Sequence, residues 1–291
     1  MRIYLNEPVS INLIEKLNKK FILTKDIFNC EIIISRNQVV DKNIIDNNKF
    51  LKIIAVHGTG YNMIDLDYAK EKGIIVFRTP FLNVNAVSEL NVMLMLNLAR
   101  KYDEVKKTRI LGDINFLGEE LRGKTVGIIG LGHIGIRTKE ILYNGFGCNI
   151  IGYNRTKKDI PNVINVSLEE LYKKSDYIVL ALALTDATKE MINKDAFLLM
   201  EKKPYIINSA RGALINNCDL KYALKNNLIK GFGCDTYYPE PVMLDDDILN
   251  YNTIILPHIG ANTKEALDEM GERLYNNLIN ILDGIKIDDE L

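Results

Sequence analysis

The stretch from Thr125 to Tyr143 restricts the fold more than any other part of the sequence. Thr125-Val126-Gly127-Ile128-Ile129 is a continuous apolar run of the kind found in strands buried on both faces. Residues 134–143 carry apolar side chains at helical spacing. Gly130-Leu131-Gly132-His133-Ile134-Gly135 joins the two, so the strand must pass straight into the helix through a tight turn. A strand that ends in a helix cannot meet the next strand through a hairpin. The following strand returns parallel to the first, by a crossover. Parallel sheet covered by helices is therefore expected.

The same alternation runs along the rest of the chain. Further strands are expected at residues 2–5, 31–35, 52–56 and 74–77, and then at 149–153, 177–182, 205–208, 231–234 and 253–256. Helical patterns separate them at 10–18, 84–98, 167–173, 189–199, 219–226 and 263–282. One sheet holds so many strands poorly, so the chain is read as α/β with two doubly wound parallel-sheet domains. Residues 1–93 together with 264–291 are assigned to one domain, and 94–263 to the other. The apolar helix at 84–98 is expected to join them, and the last helix to return to the first domain.

Composition excludes several functional classes. Lysine plus arginine number 37 against 38 for aspartate plus glutamate, a net charge of −1, so the basic footprint of a general nucleic-acid binder is missing. No apolar run approaches the ~18 residues of a membrane span. The N-terminus turns polar within a few residues and has no signal-peptide pattern, which leads to an expected cytoplasmic location. Cys30, Cys148, Cys218 and Cys234 form no C-x-x-C pair and stand at no metal-ligand spacing from a histidine. No metal site is expected, and the thiols are read as buried and reduced. Acid–base work near neutral pH has few candidates, the histidines being His57, His133 and His258.

The glycine turn carries chemistry as well as geometry. Gly130 allows the bend, Gly132 lets backbone approach a pyrophosphate, and Gly135 lets helix and strand pack closely. The backbone of His133 and Ile134 opens the helix, where free N–H groups and partial positive charge suit phosphate. The second strand of such a unit ends, in NAD-binding chains, on an acid that bonds the ribose. Here that position is Asn154, followed by Arg155, Thr156, Lys157 and Lys158. No carboxylate repels a 2′-phosphate, and a guanidinium, a hydroxyl and ammonium groups are at hand to bind one. The expected cofactor is NAD(P)(H), with a tilt to NADP. The other reading is a solvated basic turn, with Asn154 bonding a ribose hydroxyl of NAD.

Three expected strands run into unusual segments: Asn208-Ser209-Ala210-Arg211-Gly212, Asp235-Thr236-Tyr237-Tyr238-Pro239-Glu240-Pro241, and Pro257-His258-Ile259-Gly260-Ala261. All three fall at the carboxyl edge of one parallel sheet, where open α/β sheets bind ligands. An Arg, a Glu and a His converging beside a nicotinamide would make a hydride-transfer centre. The His exchanges the hydroxyl proton, the Glu orients its ring and favours its charged form, and the Arg grips a carboxylate in a fork.

At these residues the chain resembles the D-isomer-specific 2-hydroxyacid dehydrogenases. The resemblance covers nearly the whole length and includes the approach to the glycine turn, Gly123-Lys124-Thr125-Val126-Gly127-Ile128-Ile129-Gly130. It implies a Rossmann dinucleotide-binding domain and a flavodoxin-like substrate domain, with the active site in the cleft. Arg211, Glu240 and His258 would be catalytic. Asp235 would bind the nicotinamide carboxamide, Ser209 and Ala210 would line the nicotinamide, and Gly260 and Ala261 would add cofactor contacts. His57-Gly58-Thr59-Gly60-Tyr61-Asn62-Met63-Ile64-Asp65 resembles the loop whose backbone N–H groups hold the substrate carboxylate, with Thr59 and Gly60 at the matching positions.

By this resemblance the chain reduces small 2-keto acids or oxidises the matching 2-hydroxy acids, with hydroxypyruvate, glyoxylate and 3-phosphohydroxypyruvate as candidates, and it forms a homodimer. Residues 259–263 look closest to phosphoglycerate dehydrogenases. Glu240 stands where the related formate dehydrogenases use Gln. The alternative from another class is a dinucleotide-sensing corepressor-like binding protein on the same fold. Leu180-Ala181-Leu182-Ala183-Leu184-Thr185 departs from the family, which often has His and Pro before the Leu-Thr. Residues 108–118, before the glycine turn, look shortened, which bears on the dimer surface. No C-terminal regulatory domain of the kind some phosphoglycerate dehydrogenases carry is expected.

Overall fold

The computed structural model describes residues 1–108 and 116–291, and the segment that looks shortened in the sequence lies largely outside them. Along the chain come β1 (Arg2–Leu5), α1 (Ile11–Asn18), β2 (Ile22–Thr24), β3 (Ile32–Ser35), α2 (Lys42–Asn47), β4 (Ile53–Val56), α3 (Leu66–Glu71) and β5 (Ile75–Arg78). Then follow α4 (Val84–Ala99), α5 (Tyr102–Thr108), β6 (Thr125–Ile129), α6 (His133–Phe146), β7 (Asn149–Tyr153), β8 (Ile164–Asn165), α7 (Leu168–Lys174) and β9 (Tyr177–Leu180). The last elements are α8 (Lys194–Leu198), β10 (Tyr205–Asn208), α9 (Asn217–Lys225), β11 (Gly231–Cys234), β12 (Thr253–Ile255) and α10 (Lys264–Leu282).

The strands form two wholly parallel sheets, of five strands in the order β2-β1-β3-β4-β5 and of seven in the order β12-β11-β10-β9-β6-β7-β8. The five-stranded order is that of flavodoxin-like sheets; the seven-stranded one is the Rossmann order with one strand added at the edge. Contacts divide the chain into a first unit, Met1–Asn83 with Ala261–Leu291, and a second, Val84–Gly260. Both borders come earlier than the sequence suggests, the first because α4 packs on α6 and on β10, β11 and β12. That helix is apolar on nearly every side, which is what packing between a helix and a sheet demands.

Strand periodicity builds the cores. In the first unit Ile32, Ile34, Ile53, Ala55 and Phe77 face α1 and α10, while Ile33, Ile54, Val56 and Val76 face α2 and α3. In the second unit Ile128, Val179 and Ile207 turn towards α4 and α6; Ile129, Ile178, Leu180 and Ile206 turn towards α7, α8 and α9. Each sheet is thus apolar on both faces, and each fully buried Ile or Val contributes about 1.5–3 kcal/mol.

The strands missing from the sequence reading, β2 and β8, are short edge strands with exposed residues, so they lack the apolar run that marks a buried strand. The helix expected over 189–199 shrinks to α8, since Asn193 caps it through Ala196 N–H and a turn closed by the Thr188 hydroxyl occupies the residues before. Cys30, Cys148 and Cys234 are buried, but Cys218 is exposed, near the start of α9 where the helix faces solvent. Among the described residues no helix is long and apolar enough to cross a membrane, and no His, Cys, Asp and Glu cluster could hold a metal ion.

Most helices begin on a capping side chain: Ser10, Asp41, Asp65, Ser167, Asn193, Asn216 and Thr263 each accept a first-turn N–H, worth about 1 kcal/mol apiece. Helix α6 begins on Gly132 with no side-chain cap. The glycines around it divide by role. Gly130 has φ +100°, and a Cβ there would lie 2.4 Å from the Ala181 carbonyl oxygen. A Cβ on Gly135 would lie 2.1 Å from the Gly130 carbonyl oxygen, whereas one on Gly132 would meet nothing within 4 Å. Gly130 and Gly135 are needed by the fold itself; Gly132 leaves open space in front of the helix.

Two outcomes follow for stability. Gly135→Ala should lower the melting temperature by the equivalent of about 1–3 kcal/mol, the usual cost of overpacking, while Gly132→Ala should leave it nearly unchanged; thermal unfolding followed by circular dichroism checks both. His57 is 2 % exposed and neither ring nitrogen has a hydrogen-bond partner. Burial, reinforced by the Arg36 charge, pushes its pKa down to about 3 from 6.5. The unfolded chain therefore takes up a proton that the folded one refuses, and stability falls as pH drops from about 6.5 towards 3. At pH 5 the loss is about 2 kcal/mol. Denaturant titrations at pH 7 and pH 5 should show it, and His57→Phe should remove that part of the pH dependence.

Candidate active site

Because every strand of the seven-stranded sheet runs the same way, every strand-to-helix connection leaves from one edge. Strands β12, β11 and β10 are neighbours, so the segments after them stand side by side: His258, then Asp235 and Glu240, then Arg211. Two places further along the sheet β6 delivers the glycine turn, with β9 on one side and β7 on the other. The strand order reverses at β6, and such a switch point is where open α/β sheets take their ligands.

The structure brings the three expected side chains into one field. His258 Nδ1 lies 3.1 Å from Glu240 Oε2. His258 has φ +57°, a left-handed conformation uncommon for a non-glycine residue. The backbone after it is held by Asp235, 2 % exposed, whose carboxylate accepts the N–H of Ile259 at 2.7 Å and of Gly260 at 2.6 Å. A Cβ on Gly260 would sit 2.7 Å from Asp235 Oδ2, so only glycine permits this grip. Burial pushes the Asp235 carboxyl above its ordinary pKa, while the two N–H groups and His258 pull it back and Glu240 pushes it up further. Arg211 is half-buried; burial lowers its guanidinium pKa and the Glu240 charge opposes that.

Local bonds explain why the loops that carry Arg211 and Glu240 meet, and the Arg211 guanidinium itself donates to the Ala210 carbonyl at 2.7 Å. Asn208, wholly buried at the end of β10, donates to the Arg211 carbonyl at 2.9 Å and accepts the Ala210 N–H at 3.1 Å, which folds the loop back on itself. A Cβ on Gly212 would lie 2.5 Å from the Tyr237 carbonyl carbon, so the two loops touch through backbone. Asn208 and Asp235 work here as positioning groups. The sequence flagged Asp235 for a cofactor contact and gave no signal that it would anchor the His258 loop.

The residues around the glycine turn fit a dinucleotide. The uncapped start of α6, the space in front of Gly132, and the Ser209 hydroxyl, buried and without a protein partner, are what a bound phosphate and nicotinamide would use. His133 and Ile134 open α6, and Ala210 sits in the loop shaped by Asn208. Asn154 stands at the end of β7 as expected, but its amide is already bonded: Oδ1 accepts the Leu131 N–H at 3.2 Å and Nδ2 donates to the Thr156 carbonyl at 2.8 Å. Arg155 and Thr156 are exposed beside it. Lys158, present in the basic run but with no reason in the sequence to be singled out, reaches the turn and donates to the Leu131 carbonyl at 3.0 Å.

In the first unit Thr59 and Gly60 follow β4, at the carboxyl edge of the five-stranded sheet. The Thr59 hydroxyl accepts the Phe81 N–H at 3.0 Å and donates to Asn83 Oδ1 at 3.2 Å. Ala261 falls in this unit, next to Gly260 in sequence but across the border from it. His57 is buried and neutral, and His133 is exposed at the first turn of α6.

Comparison with known proteins identifies the family. Residues 92–260 match the family described as D-isomer specific 2-hydroxyacid dehydrogenase, NAD binding domain. A Staphylococcus aureus protein named only by family, as a 2-hydroxyacid dehydrogenase, is 37% identical over 258 residues, 85% of this chain and 81% of its own. The D-lactate dehydrogenase of Escherichia coli superposes with a TM-score of 0.87 at 27% identity, covering 100% of this chain and 99% of that one. An acyclic imino acid reductase (Bsp5) in complex with NADPH and D-Arg superposes at 0.88 with 28% identity and full coverage of both chains. The protein is a member of the D-isomer-specific 2-hydroxyacid dehydrogenase family, with a domain built for a nicotinamide dinucleotide.

Proposed function

We propose that the protein is an NAD(P)-dependent D-2-hydroxyacid dehydrogenase that acts as a reductase of small 2-keto acids. The observation that carries this reading is the His258–Glu240 pair at 3.1 Å, held beside Arg211 on the sheet edge that also bears the glycine turn. A reduced nicotinamide, held by the glycine turn, Ser209 and Ala210, would supply hydride to the keto carbon, and the carbonyl oxygen would then need a proton. His258, protonated, gives its proton to that oxygen, and Glu240 keeps the ring oriented through Nδ1. Arg211 grips a carboxylate and polarises the carbonyl, and the Thr59 and Gly60 backbone N–H groups are assigned to hold a carboxylate. In the reverse direction the neutral ring takes the hydroxyl proton. Asp235 holds the backbone after His258, and its place beside Ser209 and Ala210 suits a nicotinamide carboxamide.

NADPH is the preferred cofactor in this reading. Exposed Arg155 and Thr156, with Lys158 drawn to the glycine turn, offer cations and a hydroxyl to a 2′-phosphate, and position 154 carries an amide in place of a carboxylate. The NADPH in the imino acid reductase complex lends this preference support. Hydroxypyruvate, glyoxylate and 3-phosphohydroxypyruvate are the substrates to try first. The reading includes a cytoplasmic homodimer; exposed Met93 and Leu96 on α4 give an apolar surface for a second copy.

Loss of NAD(P)H absorbance with a panel of 2-keto acids tests the reaction; binding of dinucleotide with no turnover of any of them would favour the dinucleotide-sensing alternative. His258→Ala should lose about 10²–10⁴-fold in kcat while its NAD(P)H affinity, read from fluorescence, stays the same. Arg155→Ala should weaken NADPH about tenfold or more and leave NADH unchanged, and Asn154→Asp should turn the preference towards NADH. Efficient NADH use with an NADPH affinity indifferent to Arg155 would show that the basic turn serves only solvent.

A further inference from the structure

We infer that Arg78 is a positioning residue that sets the plane of the Thr59–Gly60 peptide, so that the Gly60 N–H is presented to the carboxylate of the substrate. The inference rests on the proposed function, and it deepens that function at a residue outside the motifs. Arg78 closes β5, next to β4 and level with the start of the 57–61 loop. Its Nη1 donates to the Thr59 carbonyl oxygen at 3.0 Å, and its guanidinium carbon lies 5.4 Å from the centroid of the Tyr61 ring. One side chain thus grips the loop on both sides of Gly60.

The grip has a directional consequence. The Thr59 carbonyl and the Gly60 N–H belong to one trans peptide, in which they point in opposite directions. Fixing the carbonyl towards Arg78 fixes the N–H away from it. That N–H has no acceptor among the described residues, although neighbouring groups of the loop are bonded: the Gly58 carbonyl accepts the Thr79 N–H at 3.1 Å, and the Thr59 hydroxyl is tied to Phe81 and Asn83. A guanidinium on the oxygen of a peptide also polarises it and makes its N–H a stronger donor. The Arg78 charge helps hold the Asp289 carboxyl below its ordinary pKa, but the hydrogen bonds of Asp289 go to Arg273 at 2.6 Å and Asn277 at 2.7 Å, and Arg78 forms no salt bridge among the described residues; the hydrogen bond of its guanidinium goes to the Thr59 carbonyl.

The test compares Arg78→Met, which keeps the aliphatic stem without donors or charge, with Arg78→Lys, which keeps one cationic donor. Steady-state kinetics give KM for glyoxylate and for NADPH. In parallel, oxamate is titrated into 15N-glycine-labelled, NADP-bound protein while the Gly60 amide resonance, assigned through Gly60→Ala, is followed. Arg78→Met should raise KM for glyoxylate about tenfold, leave KM for NADPH unchanged and abolish the oxamate-induced shift of Gly60, and Arg78→Lys should restore part of both losses. An unchanged glyoxylate KM, an equal rise in both KM values, or a Gly60 amide indifferent to oxamate in an active unaltered protein would overturn the inference and leave the proposed function standing. Failure of the unaltered protein to reduce any 2-keto acid, with a Gly60 shift that still depends on Arg78, would overturn the proposed function and keep the carboxylate site.

Discussion

Parallel pairing is the constraint on which the rest of the structure depends. A parallel strand can be followed only by a crossover, so each sheet must be covered on both faces and each strand must leave from the same edge. The first demand explains the isoleucine- and valine-rich strands and the apolar helix α4. The second gathers residues far apart in sequence: Gly130, Arg211, Asp235 and His258 come together because each follows a strand of the same sheet.

Backbone, more than side chain, does the positioning. The loops carrying Arg211 and Glu240 meet through backbone where Gly212 passes Tyr237, and the loop carrying His258 is hung by two N–H groups from the Asp235 carboxylate. The turn before α6 is tight because Gly130 and Gly135 approach each other across it. Glycine at these positions is required by contact distances or by a positive φ, and not by general flexibility. Among the cysteines, burial alone pushes the Cys148 thiol up to about 11, in keeping with an inert packing residue.

The two units follow the same logic at their own edges. In the second, a buried carboxylate fixes two N–H groups and thereby the histidine before them. In the first, a guanidinium fixes a carbonyl and thereby the N–H behind it. In both, a charged side chain acts on peptide groups and so orients a neighbouring group of its own loop.

By itself the sequence determined the fold class and the family. Buried parallel strands and the glycine turn are local patterns with a fixed period, and Arg211, Glu240 and His258 sit in short motifs that resemble a known family. The edge strands β2 and β8 were not legible, because a two- or three-residue strand with exposed side chains carries no period. The place of α4 was not legible either: an apolar helix says that it will be buried, but its partners come only from packing against β10, β11 and β12. Only the tertiary structure decided that the Asn154 amide is spent on backbone, that Lys158 reaches the glycine turn, that Asp235 hangs the His258 loop, and that Arg78 sets a peptide plane. Each of these is a contact between segments that sequence spacing does not relate, so its geometry exists only once the strands have brought the segments together.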